Sequence, residues 1–466
     1  MVRSATGSPS PMRVLHVVHG FPPASTAGVE VYTARLAAAL VRRGWDARVL
    51  TAAHDLGAAT GSLRRRSLAG IEVTEVVNTR ERPGLDGSYA DPVVARGCLE
   101  VLREVRPDVV HVQHLLNLSW EVVDAARAMG AAVVMTLHDY WASCPRDGIR
   151  MRADGALCES VDHAICARCL RDSPYAAPAA QRGLLRAARS AGLGRALHAL
   201  HDAAPRLSGV ALRSLRAVAP GGGRVEASDL DERAARLRAV LRSVDALVAP
   251  TRFAARRAVE AGAPEPTIRV IPLGVDLARV ERRGPARRFG YVGGLSDHKG
   301  VHVLVEAFRG LGDAELRLEI HGDASVHPEC AVRLRGLAAG DARIRLCGRF
   351  PEGDQARVLA GLDVVVVPSL WWENSPIALL EARASGARVV ASRTGGIPEL
   401  LPETAGRLVP PGDVAALRAA LAAEAVRPVS DVPPPRRLDD EVAELEALYA
   451  TLPRTRVAPA RKGARP

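Results

Sequence analysis

The hydrophobic positions of this chain fall into short β-branched runs separated by Ala-, Leu- and Arg-rich stretches of helical character. That alternation predicts parallel sheets covered on both faces, because a strand buried on both sides reads as a continuous apolar run. It occurs twice. One series of strands is predicted at Arg13–Val18, Asp46–Thr51, Gly70–Val76, Val109–Gln113 and Ala132–Leu137, with helices such as Val29–Arg43 between them. A second is predicted at Arg287–Val292, Leu316–His321, Ile344–Cys347, Val364–Val367 and Arg388–Ala391. The expected fold is α/β, with two doubly wound, Rossmann-like domains facing a central cleft. Ligands of such folds sit outside the carboxyl ends of the strands.

The pattern divides the chain into an N-terminal domain over 12–245, a C-terminal domain over 246–426, a proline-rich linker and helix over 427–452, and a basic tail over 453–466. Within the first domain, 142–238 reads as a Cys-rich loop followed by a basic helical insertion. In the last helix Leu438, Val442, Leu445 and Tyr449 recur at i, i+4, i+7 and i+11, one apolar face that must pack on something. The first domain is its expected dock.

Composition narrows the class. The chain has 466 residues, 48% apolar and 25% charged, which fits a multi-core globular protein and excludes a disordered or fibrous one. Seven cysteines, odd and sparse, point to reduced thiols in the cytosol. The first twelve residues are polar, so export is not expected, and no apolar run approaches the roughly 18 residues of a membrane span. The net charge of +11 suggests a nucleic-acid binder until it is located. Eight arginines against Asp172 and Asp202 give +6 between Arg171 and Arg216, and Arg454, Arg456, Arg461, Lys462 and Arg465 give +5 in the last fifteen residues. The remainder is neutral and carries no nucleic-acid motif. The basic pieces are therefore solvated surface or a peripheral contact with the anionic inner membrane leaflet.

Candidate chemistry lies in the strand-to-helix loops. Gly28 stands just ahead of a helix, where backbone approaches a ligand closely and first-turn amides suit a phosphate. The second-half counterpart, Gly293-Gly294-Leu295-Ser296-Asp297-His298-Lys299-Gly300, holds one of only two lysines in the chain. A compact ammonium suits a diphosphate in a tight loop; a solvated lysine is the bland reading. The densest segment is Trp371-Trp372-Glu373-Asn374-Ser375-Pro376-Ile377, with Glu381 following. Ser375 reads as an N-cap with Pro376 in the first turn, leaving Glu373 in the loop, Glu381 in the helix, and the amides of Ile377 and Ala378 facing the same crevice. Carboxylates accept from sugar or ribose hydroxyls while helix amides meet anionic oxygens, so this one segment can hold both ends of a sugar nucleotide.

Together with Pro107–His111, Leu137-His138-Asp139, Val270–Asp276 and Gly395-Gly396-Ile397-Pro398-Glu399, these residues make the chain resemble the retaining GT-B glycosyltransferases of the family-four group, whose E-x7-E signature matches Glu373 and Glu381. The resemblance implies that Glu381 binds the donor ribose, Glu373 contacts the donor sugar, and Lys299 neutralises the departing diphosphate. It also implies that His138 sits near the transferred sugar and Gly28 near the donor phosphate or acceptor, with Asn374, Ser375 and Ile377 in the donor loop. It implies retention of configuration, no cofactor for catalysis, a nucleotide-sugar donor and a carbohydrate or lipid-linked acceptor in cell-surface polysaccharide or glycolipid synthesis. One departure stands out: Gly294 occupies the place of an arginine in many relatives, leaving Lys299 alone or assisted by Arg349 or Arg393.

Cys144, Cys158, Cys166 and Cys169 fall within 26 residues and end in a C-x2-C pair. Four thiolates can close a tetrahedral structural zinc site, or remain free thiols. Two other functions compete with sugar transfer: a nucleotide-sugar epimerase of the same fold, which needs a further acid/base set, and a non-catalytic GT-B binding module, which the missing arginine would favour.

Overall fold

The computed structural model describes residues 11–80, 82, 84–146, 148–171, 173, 225–282, 284–351, 353–428 and 432–454. The basic stretch at 174–224 and the tail from 455 lie outside the described residues. Two sheets carry the molecule. The first contains β1 (Arg13–Val18), β2 (Asp46–Ala53), β3 (Leu63–Leu68), β4 (Ile71–Val77), β5 (Val109–Val112), β6 (Ala132–Thr136), β7 (Ala246–Ala249) and β8 (Ile268–Val270), in the order β3-β4-β2-β1-β5-β6-β7-β8. The second contains β9 (Arg288–Val292), β10 (Arg317–His321), β11 (Ile344–Gly348), β12 (Val364–Val367), β13 (Arg388–Ser392) and β14 (Gly406–Val409), in the order β11-β10-β9-β12-β13-β14. Every pairing is parallel except β3 with β4.

Burial explains the parallel strands. All four valines of β12 are buried, as are all residues of β5, β6 and β13, because helices cover both faces of each sheet. The predicted strands recur here with ends moved by a residue or two. The reading did not foresee β3, β7, β8 and β14. Strand β3 is an edge strand whose Arg64, Arg65 and Arg66 pair with Asp55, Glu104 and Glu75, so its sequence lacks an apolar run. It turns into β4 through Ala69 and Gly70, both at positive φ, the geometry of a tight hairpin turn. Strands β7 and β8 move the boundary expected at 245: β7 pairs with β6 and β8 with β7, so the first sheet runs to Val270.

The last helix, Leu438–Thr451, returns to the first lobe. Leu438, Val442, Leu445 and Tyr449 are all buried, each burial contributing about 1.5–3 kcal/mol. Tyr32 Oη donates to Glu441 Oε1 at 2.6 Å, Trp45 Nε1 donates to Glu446 Oε1 at 2.6 Å, and Tyr449 Oη lies 2.6 Å from His111 Nδ1. Among the described residues the chain therefore passes between the lobes twice, after Val270 and after Val426. The two crossings touch: Pro285 bridges Pro428, and the Val275 amide donates to the Arg436 carbonyl at 3.0 Å. One apolar cluster joins Val14, Leu36 and Leu40 of the first lobe to Leu379, Leu380 and Val389 of the second. Among the described residues, no helix is long and apolar enough to cross a membrane.

Candidate active site

The carboxyl ends of both sheets meet at the cleft, and the glycine loops there interlock. Gly300 takes φ +69, and a Cβ on it would lie 1.9 Å from the Pro368 carbonyl oxygen; only glycine lets the lysine turn seat against the Pro368–Leu370 strand end. The Leu370 amide closes the contact by donating to His298 O at 2.8 Å. Gly395, at φ +58, is pressed the same way onto the backbone of Glu373, whose carbonyl accepts from the Gly396 amide at 2.7 Å.

These contacts bring Lys299 and Glu373 together. Lys299 Nζ lies 2.8 Å from Glu373 Oε1 and 4.6 Å from the centre of the Trp371 ring. Ser369 Oγ and Trp371 Nε1 donate to the same oxygen at 2.6 and 2.8 Å. Burial opposes ionisation of Glu373, but the Lys299 ammonium and these donors outweigh it and hold the carboxyl below its usual range. The second oxygen, Oε2, takes none of these bonds.

Helix Ile377–Ala384 begins one residue later than expected. Pro376 is the N-cap, and Ser375 makes no capping bond, because the Leu379 and Leu380 amides return to the Pro376 carbonyl. Ser375 Oγ and Asn374 Oδ1 are buried without hydrogen-bond partners among the described residues. The Ile377 and Ala378 amides stand ahead of the first intrahelical bond. Gly28 lies opposite, with the position of a Cβ only 3.7 Å from Ile377 Cδ1. Asn374 Nδ2 reaches across to the Leu137 carbonyl at 3.2 Å, which sets His138 beside this loop.

His138 Nε2 lies 2.7 Å from Gln113 Oε1, and its ring meets Tyr32 edge-on at 5.0 Å. Burial lowers its pKa to about 3, so the ring is neutral. Behind it the first lobe presents a polar wall that sequence reading missed. Glu30 accepts from Ser25 Oγ at 2.8 Å and lies 3.3 Å from His19, while His114 lies 3.1 Å from Asp139. Glu30 Oε2 and His19 Nδ1 are buried and have no hydrogen-bond partner among the described residues.

Glu373 and Glu381 share no partner. Glu381 is 2% exposed, and its Oε1 accepts from Arg35 NH1 of the first lobe at 2.6 Å. Gln355 Nε2 donates to its other oxygen, and Arg35 NH2 donates to Gln355 Oε1 at 2.6 Å. Burial raises the pKa of Glu381 against the pull of Arg35. Arg35 was not singled out from the sequence; its only signal is its place two turns after Gly28, on the same side of helix Gly28–Arg42. Gly294 has open space where a Cβ would go, and Arg349 and Arg393, at the carboxyl ends of β11 and β13, are exposed.

The four clustered cysteines form no disulfide, and three of them, Cys144, Cys158 and Cys166, line one small cavity. No three of their sulfurs lie within 4.8 Å of one another; among the described residues the ligand-type atoms that do belong to Glu319, His321 and Cys347. There Glu319 is already paired with Arg345 at 2.6 Å.

Two Rossmann-like lobes with facing strand ends and glycine loops define the GT-B class of glycosyltransferase folds. Residues 26–167 match the model of Glycosyltransferase Family 4 and residues 286–424 match that of Glycosyl transferases group 1. The chain is 32% identical over 182 residues to a putative colanic acid biosynthesis glycosyltransferase, WcaL, of Escherichia coli (strain K12), covering 36% of this chain and 45% of the relative. It is 36% identical over 139 residues to the amylovoran biosynthesis glycosyltransferase AmsK of Erwinia amylovora, covering 27% and 33%. The chain thus spans less than half the length of these curated relatives. Among solved structures, Anabaena Alr3699/HepE in complex with UDP and glucose aligns over 95% of this chain and all of that one, with TM-score 0.59 and 15% identity. Sucrose-phosphate synthase from Thermosynechococcus elongatus aligns over 94% and 95%, with TM-score 0.58 and 18% identity.

Proposed function

We propose that this protein transfers a sugar from a nucleotide-sugar donor to a carbohydrate or lipid-linked acceptor with retention of anomeric configuration, in the synthesis of a cell-surface polysaccharide or glycolipid. The observation that carries this reading is the Lys299–Glu373 pair, a cation and an ionised carboxylate fixed 2.8 Å apart beside a helix start with unpaired amides. In this reading Lys299 and the Ile377 and Ala378 amides hold the diphosphate, and the free oxygen of Glu373 accepts from a sugar hydroxyl. The bond from the anomeric carbon to the diphosphate breaks, and the acceptor oxygen bonds to the same face. Its proton passes to the departing phosphate oxygen. Charge grows on the diphosphate during the step, so a fixed ammonium and fixed amides stabilise the transition state more than the ground state. Neutral His138 serves as a hydrogen-bonding wall of the sugar pocket. Similarity to the colanic acid and amylovoran biosynthesis glycosyltransferases WcaL and AmsK supports the polysaccharide assignment.

The test is a melting-temperature screen across UDP, GDP, ADP and TDP sugars, since a ligand bound only by the folded chain raises the midpoint. The stabilising donor is then incubated with lipid-linked and oligosaccharide acceptors. Release of nucleoside diphosphate with a product of unchanged anomeric configuration is expected. An isomerised nucleotide sugar would mean epimerisation, and binding with no turnover against any acceptor would mean a binding module; either result overturns the proposal.

A further inference from the structure

The sugar-transfer reading leaves Cys144, Cys158, Cys166 and Cys169 without a task, yet the fold gathers them. Residue Arg150 ties the first two together: its amide donates to Cys144 Sγ at 3.4 Å, and its carbonyl accepts from the Cys158 amide at 2.8 Å. A short antiparallel return makes this possible, with Met151 bridged to Leu157 and the Arg152 amide bonded to the Ala156 carbonyl at 2.7 Å. The other two cysteines lie three apart on helix His163–Cys169, hence on one face, and Asp162 fixes the start of that helix by accepting from the Ile165 amide at 3.1 Å. Cys144, Cys158 and Cys166 line a common cavity of about 20 Å³, room for one small occupant.

The charge around the cavity calls for an anionic partner. Arg150 lines it with Arg152 and Asp162; it is 5% exposed, its NH2 donates to the Glu159 carbonyl at 2.8 Å, and its buried Nε has no hydrogen-bond partner and no ion pair among the described residues. A buried cation left in that state is costly. Four thiolates around a divalent ion carry a net charge of about −2, which this guanidinium would offset. The Arg150 amide donating to Cys144 Sγ suits a thiolate acceptor, while the metal-free thiol donates to the Arg146 carbonyl at 3.6 Å, a contact that deprotonation would release.

We propose that Cys144, Cys158, Cys166 and Cys169 bind one structural zinc ion as tetrahedral thiolates, and that the ion braces the loop carrying Glu373. Each thiol gives up its proton on binding, and rotation of the cysteine side chains draws the sulfurs inward onto the metal. The brace follows from packing. Cys144 forms one apolar cluster with Tyr140 and Trp371, flanked by Ile149, Leu157, Phe253 and Trp372. The Tyr140 ring stands edge-on to both tryptophans at 6.4 and 6.1 Å, and Arg150 lies 5.5 Å over the Trp372 ring. Trp371 in turn donates to Glu373. The cysteine loop of one lobe thus covers the back of the candidate catalytic loop of the other.

Elemental analysis of the full purified chain is expected to give about one zinc per chain, and the Cys166→Ser and Cys169→Ser variants less than a tenth of that. Cys98→Ser and Cys330→Ser, which alter cysteines in other apolar clusters, keep the full amount. Should the first two variants fail to fold, the wild-type chain still decides. Cobalt(II) exchanged for the native metal is expected to show the visible bands of a tetrahedral thiolate complex. Chelation is expected to shift the tryptophan emission reversibly, a shift absent from Trp371→Phe. No bound metal, with all four thiols reacting freely in the folded chain, overturns the site; metal loss without an emission change overturns the brace. None of these readouts depends on sugar transfer, so failure here and failure of the proposed activity are separable.

Discussion

Arg35 and Glu381, 346 positions apart in sequence, lie 2.6 Å from each other across the cleft and tie the two lobes at the carboxylate expected to meet the donor ribose. Arg35 remains 31% exposed, so the pair is worth less than a fully buried one. A double-mutant cycle with Arg35→Ala and Glu381→Ala, read by urea unfolding, is expected to give a coupling energy of about 1–2 kcal/mol. Additivity of the two substitutions within about 0.5 kcal/mol would show that the contact does no work in holding the lobes.

Lys299 is expected to be needed for both charge and shape. Lys299→Ala should lower kcat by about a hundredfold or more while leaving the fold intact by circular dichroism. Removing the ammonium also leaves burial of Glu373 unopposed by its nearest cation, which raises that carboxyl. Donor binding should then acquire an acidic limb at higher pH in the variant than in the wild type, where Glu373 is held below its usual range. A flat profile in both proteins would contradict the assigned electrostatics.

Gly395 leaves no room for a side chain. A methyl there would sit 2.1 Å from the Glu373 carbonyl oxygen at φ +58, so Gly395→Ala should displace the Glu373 loop and cost about 2 kcal/mol or more. Donor affinity should fall with it, measured by titration calorimetry. Gly340→Ala also sits at positive φ but meets nothing within 4 Å, and should leave donor affinity unchanged.

Glu441 supplies a pH signature. Burial raises its pKa to about 7, against the donors Tyr32 and the Gly274 amide. The folded chain therefore keeps a proton that the unfolded chain releases near the ordinary glutamate value, so the contribution is fully present below about pH 4.5 and is lost as pH rises toward 7. Over that window the stabilisation should decline by roughly 3 kcal/mol and then level off. Glu441→Gln should flatten this part of the stability curve, as followed by chemical denaturation at fixed pH steps.

How much of this was legible in the sequence depends on the range of each interaction. Val364–Val367 and Arg13–Val18 were readable because a strand buried on both faces writes its environment into consecutive residues. Leu63–Leu68 was not, because an edge strand of arginines is defined by acidic partners elsewhere. Lys299 was noticed through its rarity and Glu373 through its loop, but nothing local announces that Ser369 and Trp371 complete the carboxylate's shell. Arg35 is one arginine of many until the second lobe arrives. Ser375 was misassigned as a cap because Pro376 itself occupies that position.

The paired crossings near Pro285 and Pro428 constrain how the molecule can breathe. Because the two connections touch at this bridge, a substitution that displaces one of these prolines is felt by the other connection as well.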